Sequence, residues 1–158
     1  MVMTRRKWMR KLDCGRIVEA IKNAEQHTSG EICVSIASLF WGNAEKAAER
    51  AFARLGMTRT KQRNGVLLFV VPTRREVIVL GDRGIHARVS PEFWQHIIEV
   101  VTERFRVGDF TGGLVLGIEE IGAQLNIHFP YNEATGVNEL PNEIDFGARQ
   151  PTEKTIRQ

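Results

Sequence analysis

"NGVLLFVVPTRREVIVLGDRGI" runs from Asn64 to Ile85, and its reading decides the fold. The stretch "NGVLLFVV" (64–71) is a continuous apolar run, rich in β-branched residues and stopped by Pro72, which is the pattern of a strand covered on both faces. "EVIVL" (76–80) follows across the turn "PTRR", so the two runs form an antiparallel hairpin. Upstream, "EICVSIASL" (31–39) has apolar or small residues on both faces and reads as another covered strand. Between the two lies a helix capped by Asn43, with Ala44, Ala47, Ala48, Ala51, Phe52 and Leu55 at helical spacing and Gly56 as its terminator. A strand, helix, strand order implies a right-handed parallel crossover, which makes the sheet mixed.

Three more helices flank this unit. Ile17, Ala20, Ile21 and Ala24 share one stripe of a helix over 16–26. Ser90 and Pro91 start a helix that runs to about Arg106 and buries Trp94, Ile97, Ile98, Val101 and Phe105. After "VGDFTGG" a last helix puts Leu114, Ile118, Ile121 and Leu125 on one face and ends before Pro130. The sum is an α/β fold, a three-layer α/β/α sandwich around a small mixed sheet. Residues 1–12 form a basic N-terminal arm, 13–130 the domain, and 131–158 a polar tail laid on the surface and frayed beyond Gly147.

The pI of about 9.1 suggests a polyanionic partner until the charge is located. Five of the 22 basic residues (Arg5, Arg6, Lys7, Arg10, Lys11) sit in the first eleven positions, which hold none of the 19 acids; the remaining 17 bases leave the rest slightly acidic. Specific nucleic-acid binding is therefore not expected, although the arm, with Trp8 and Met9 interleaved, suits an anionic surface. No run approaches the roughly 20 apolar residues of a membrane span, and no signal-peptide core follows the arm, so the expected location is cytoplasmic. Cys14 and Cys33 have no zinc or dithiol spacing and read as reduced thiols.

Candidate chemistry is sparse. Glu92, His96, Glu99 and Glu103 lie within about 60° on one helix face, but opposite its apolar stripe, so they read as a solvated face. His27 and His128 fit no metal spacing. No nucleophile elbow, Walker loop or dinucleotide fingerprint occurs. "GDRGIHARVS" (81–90) leaves a strand end and enters a helix start, the position where α/β sheets bind ligands. There Asp82 would be a hard oxygen ligand, Arg83 or Arg88 a phosphate contact, and His86 an acid, base or ligand. Asp109, in "FRVGDFTGGL" (105–114), is either a second candidate acid or a helix cap.

The order "SGEICVSI", "NGVLLFVV", "REVIVLGDRGI" and "FRVGDFTGGLVLGIEEIG" resembles the TPM domain family over residues 15–128, most specifically at Asn64-Gly65 and in the run Phe105 to Phe110. The chain looks like a short bacterial branch of that family. The resemblance implies an α/β/α sandwich and three kinds of role: acid phosphatase, divalent-cation binder through acidic loop residues, and accessory protein of membrane complexes. Transferred to this chain it makes Asp82, His86 and Asp109 the catalytic candidates, with Asn64, Arg83 and Arg106 as ligand contacts. Asp82 and Asp109 become the ligands of a Ca²⁺ or Mg²⁺ ion. His86 and Ser90-Pro91 stand near positions where the family pattern carries a glutamate and an aspartate. The leading expectation is accordingly a non-catalytic accessory or interaction domain with a protein or membrane-complex partner. A metal-dependent or acid phosphatase acting on phosphomonoesters is the alternative.

Overall fold

The computed structural model describes residues 4–37, 40–133 and 140–147. Its sheet has the order β1 (Glu31–Ile36), β2 (Gly65–Val71), β3 (Glu76–Gly81), with β1 parallel and β3 antiparallel to β2. Val34 stands beside Leu68 and Leu68 beside Val79, so side chains two apart along each strand share a face. On one face Ile32, Val34, Val66, Leu68, Val77 and Val79 pack against α2 (Cys14–Glu25), α5 (Pro91–Arg106) and α6 (Phe110–His128). On the other, Cys33, Leu67, Phe69 and Val71 meet the alanine stripe of α3 (Ala44–Arg54). Every residue of β1 and β2 is buried, which is why both read as unbroken apolar runs. The layers are those of the expected α/β/α sandwich.

The helices start and stop where local chemistry requires. The Asn43 side chain accepts from the Lys46 N–H at 3.1 Å, and Gly56 ends α3 in the left-handed region at φ 71°. Asp109 caps α6 by accepting from the Gly112 N–H at 3.0 Å. A Cβ at Gly117 would lie 2.7 Å from Val101, and one at Gly122 2.8 Å from Ala24, so these glycines let α6 lie close against α5 and α2. Within the described residues no helix is long and apolar enough to cross a membrane.

Four segments differ from the sequence reading. The last helix begins at Phe110, inside the stretch read as a loop, because the Asp109 cap holds its first turn. A one-turn helix, α4 (Arg83–His86), replaces part of the loop expected after β3. The first helix starts two residues early, at Cys14, because Asp13 accepts from the Arg16 N–H at 3.1 Å; this leaves Cys14 exposed. Much of the expected basic arm is a docked helix: α1 (Arg5–Arg10) buries Trp8 to 2% exposure, with its ring 5.5 Å from that of Phe105 and 5.1 Å from that of Phe110. A buried tryptophan is worth enough to order a short helix that its own propensity would not hold.

The tail lies on the surface over 140–147 and does more than cover it. Asp145 bridges the outer edge of β1: its N–H donates to Val34 O at 2.9 Å, and its carbonyl accepts from the Ile36 N–H at 2.8 Å. Its carboxylate accepts from Ser35 Oγ at 2.7 Å and from both Arg54 nitrogens at 3.1 and 2.7 Å. Burial pushes the Asp145 carboxyl up, but the Arg54 and Ser35 hydrogen bonds outweigh it and hold the group below its ordinary range. An edge strand is thereby closed to pairing with other chains. The expected strand end at residues 38–39, the first three residues of the arm, and tail residues 134–139 and 148–158 lie outside the described residues.

Candidate functional site

The segment after β3 is filled by structure. Asp82 is 6% exposed; its carboxylate takes a two-point contact from Arg63 at 2.6 and 3.0 Å and accepts from the Arg83 N–H at 2.8 Å, capping α4. Both glycines of the motif are close-packing devices: a Cβ at Gly81 would stand 2.6 Å from the Trp94 ring, and one at Gly84 2.2 Å from Gln62 O. His86 is exposed and lies parallel to Trp94 with centroids 6.4 Å apart, while Arg83 is exposed. Asn64 is 1% exposed and donates through Nδ2 to Ser29 Oγ at 3.3 Å and Gln62 Oε1 at 3.4 Å, tying the entry of β1 to the entry of β2. Asn64 and Asp82 thus share one end of the sheet with His86 and Arg83.

Asp109 and Arg106 lie at the other end. Their neighbours Gly108 and Phe110 line the same cleft as Val71 and Pro72, where β2 finishes, whereas Asp82 donates its N–H to Gly65 O, where β2 starts. The seven residues of β2 separate the two acids by about 20 Å at ~3.3 Å per residue. Ligands of one hard cation lie within ~2.6 Å of it, so Asp82 and Asp109 do not fit a shared Ca²⁺ or Mg²⁺ ion. Asp109 instead caps α6 and stands 3.7 Å from Arg104. Among the described residues no group of three or more His, Cys, Asp and Glu side chains is placed to hold a metal.

The strand direction explains the misplacement. β3 is antiparallel, so its carboxyl end lies beside the amino ends of β1 and β2; the carboxyl ends of the parallel pair are at the opposite edge. At that edge a cleft of about 570 Å³ opens between α1, the turn Pro72–Arg74 and the α5–α6 junction. Trp8, Phe105 and Phe110, which pack mutually, supply its aromatic wall. Lys11, Arg75 and Arg106 stand at its exposed rim with Glu76 as the acid among them; among the described residues none of the three cations is held by an ion pair or side-chain hydrogen bond. Lys11 Nζ lies 5.9 Å above the Phe110 ring. Thr102 is engaged: its hydroxyl donates to Ile98 O at 2.8 Å. Of the sequence candidates only Arg106 reaches this cleft. Trp8 and Lys11 were read only as parts of a surface arm, since a two-turn helix is too short to display periodicity, and Arg75 was read only as a turn residue.

A second polar cluster guards the β1 edge. Glu25, at the end of α2, accepts from the Ile32 N–H at 2.9 Å and hydrogen-bonds to Glu31, which is 3% exposed. Burial first, then the Glu31 hydrogen bond and charge, push the Glu25 carboxyl up to about 9. Its Oε1 is buried without a hydrogen-bond partner of its own, and a proton there turns an orphan acceptor into a donor. Burial and the nearby acids Glu25, Glu31 and Asp145 likewise push the Cys33 thiol up to about 12, far from the thiolate needed for nucleophilic chemistry. On α5, His96 Nε2 meets Glu120 of α6 at 2.6 Å, while Glu92, Glu99 and Glu103 are exposed as expected.

A family model described as the TPM domain matches residues 6–124. The BA42 protein of the psychrophilic bacterium Bizionia argentinensis, solved by NMR, is 37% identical, with a TM-score of 0.79, over 86% of this chain and 95% of its own. The N-terminal domain of a P. gingivalis protein has the same fold at 18% identity, with a TM-score of 0.59, over 84% of this chain and 99% of its own. The comparison with curated proteins gave no match.

Proposed function

The chain belongs to the TPM domain family, and on that footing we propose that it is a non-catalytic binding domain whose cleft takes an apolar group carrying an anion. One observation carries the reading: the acids that would form a catalytic or cation centre stand at opposite ends of β2, while the cleft at the carboxyl ends of the parallel strands combines an aromatic wall with three uncommitted cations. An aromatic floor favours burial of a hydrocarbon or ring, and unpaired cations on a rim give orientation and attraction to a single negative group. General acid–base work needs a base within hydrogen-bond reach of the reacting proton. Asp82 is occupied by Arg63, and Asp109 by the α6 cap.

Octyl phosphate and octanol, added to the full chain in a thermal-shift experiment, test the proposal. A ligand of the native state raises the melting temperature by mass action. Octyl phosphate is expected to raise it, octanol far less, and Lys11→Gln with Arg75→Gln and Arg106→Gln is expected to abolish the difference. Release of inorganic phosphate from octyl phosphate by the wild-type chain would overturn the non-catalytic reading in favour of a phosphatase. No shift with octyl phosphate would overturn the cleft as a binding site.

A further inference from the structure

The cleft's cationic rim continues across this end of the molecule. α1 lies beside the turn Pro72–Arg74, sharing a shallow groove in which Arg6 and Arg10 face Thr73. Arg6, Lys7, Arg10 and Lys11 on α1, with Arg75 and Arg106, are all exposed and form no ion pair among the described residues. The acids here are Glu76, Glu45 at the start of α3, Asp13, whose N–H donates to Thr111 Oγ1, Glu103 on the last turn of α5, and Asp109, which Arg104 already neutralises in part. Two large apolar side chains project from the same end. Trp41 is 92% exposed, on a loop that the Arg74 guanidinium fastens to the turn by donating to Phe40 O and Gly42 O; Val107 is 77% exposed between Arg106 and Gly108 of the cleft.

We propose that this end of the molecule docks on an anionic lipid bilayer, with Trp41 and Val107 entering at headgroup depth and the cations of α1 and the cleft rim facing acidic headgroups. The proposal rests on the cleft being a binding site for an apolar group with an anion, and names the source of that group. A bilayer is favoured over an acidic protein by how the apolar groups are arranged. Trp41 and Val107 stand singly on either side of the cationic turn, whereas a protein interface of standard size has a contiguous apolar core. An isolated, exposed tryptophan suits the interfacial region, where an amphipathic ring sits among headgroups. Each basic residue near an anionic leaflet strengthens binding by a similar increment, screened within a Debye length.

Co-sedimentation of the full chain with vesicles of phosphatidylcholine, alone or with 30% phosphatidylglycerol, tests it. Binding is expected only to the anionic vesicles, falling steeply with added salt and accompanied by a blue shift of tryptophan emission. Neutralising Lys11, Arg75 and Arg106 together lowers partitioning about a hundredfold, at about fivefold per charge. Trp41→Ser, which is too exposed to affect folding, weakens binding and removes most of the emission shift. Anionic vesicles that leave the chain in solution while octyl phosphate still raises its melting temperature would overturn the bilayer and leave the cleft reading intact. Failure of both probes would remove both. Vesicle binding equal in wild type and in the two variants would place the contact elsewhere and overturn the inference.

Discussion

Replacing Glu25 by Gln should make the protein more stable at pH 8 while leaving it nearly unchanged at pH 5. In the native fold the Glu25 carboxyl is raised from 4.5 to about 9, so the folded chain keeps a proton that the unfolded chain releases above pH 4.5. A group raised in this way contributes stability that is fully present below its unfolded value and is lost as pH rises toward its folded one. The slope is that of one proton, about 1.4 kcal/mol per pH unit. From pH 5 to pH 8 the loss is ~4 kcal/mol, a large share of the 5–15 kcal/mol typical of a domain. Glutamine is isosteric, keeps an oxygen to accept from the Ile32 N–H, supplies an amide donor toward Glu31, and does not titrate. Urea denaturation followed by tryptophan fluorescence at half-unit steps from pH 5 to 8 gives both profiles, and their difference cancels the titrating groups that do not interact with Glu25, leaving the joint titration of Glu25 and its partner Glu31. The difference should grow by about 4 kcal/mol across the range, in favour of the variant. Parallel profiles would refute the reasoning, because they would mean that Glu25 is already ionised in the native state at neutral pH.

Asp82→Ala removes the partner of Arg63 and the cap of α4; with the Arg63 side chain 30% exposed and able to rehydrate, we expect a loss of about 2 kcal/mol by chemical denaturation, with octyl phosphate affinity unchanged. Gly84→Ala drives a methyl group into the carbonyls of Gln62 and Arg63 and should cost about 3 kcal/mol, more than Gly81→Ala, whose obstacle is the Trp94 side chain; melting temperatures of the two variants rank them. Trp8→Ala should cost 3–5 kcal/mol, roughly 10 °C in melting temperature, whereas a frayed arm would show no change.

Much of the fold was legible because its signals are local. The Asn43 cap with the alanine spacing of α3, the Pro91 start of α5 and the Leu114–Leu125 stripe of α6 each lie within one element, and the apolar runs of β1 and β2 announced burial on both faces. The candidate site was poorly legible. Gly81 and Gly84 read equally well as a ligand loop and as close packing, and only their contacts with Trp94 and Gln62 distinguish the two. Arg63 and Asp82 lie 19 residues apart, so no spacing rule joins them. The cleft draws on α1, the hairpin turn and the α5–α6 junction; the sequence pointed to the first as a basic arm and to the last through Arg106 and Asp109, but no local pattern joins them into one cleft.

By itself the sequence determined the three strands, the four long helices and the layered architecture, since these follow from the side-chain period and from hydrogen bonds within a few residues. Tertiary structure alone decided which end of the sheet is open, where Trp8 lodges, and how Asp145 closes the β1 edge. Those outcomes depend on strand direction and on contacts between distant segments, where the gain from burying a ring or pairing a backbone edge is weighed against chain entropy that no local pattern records.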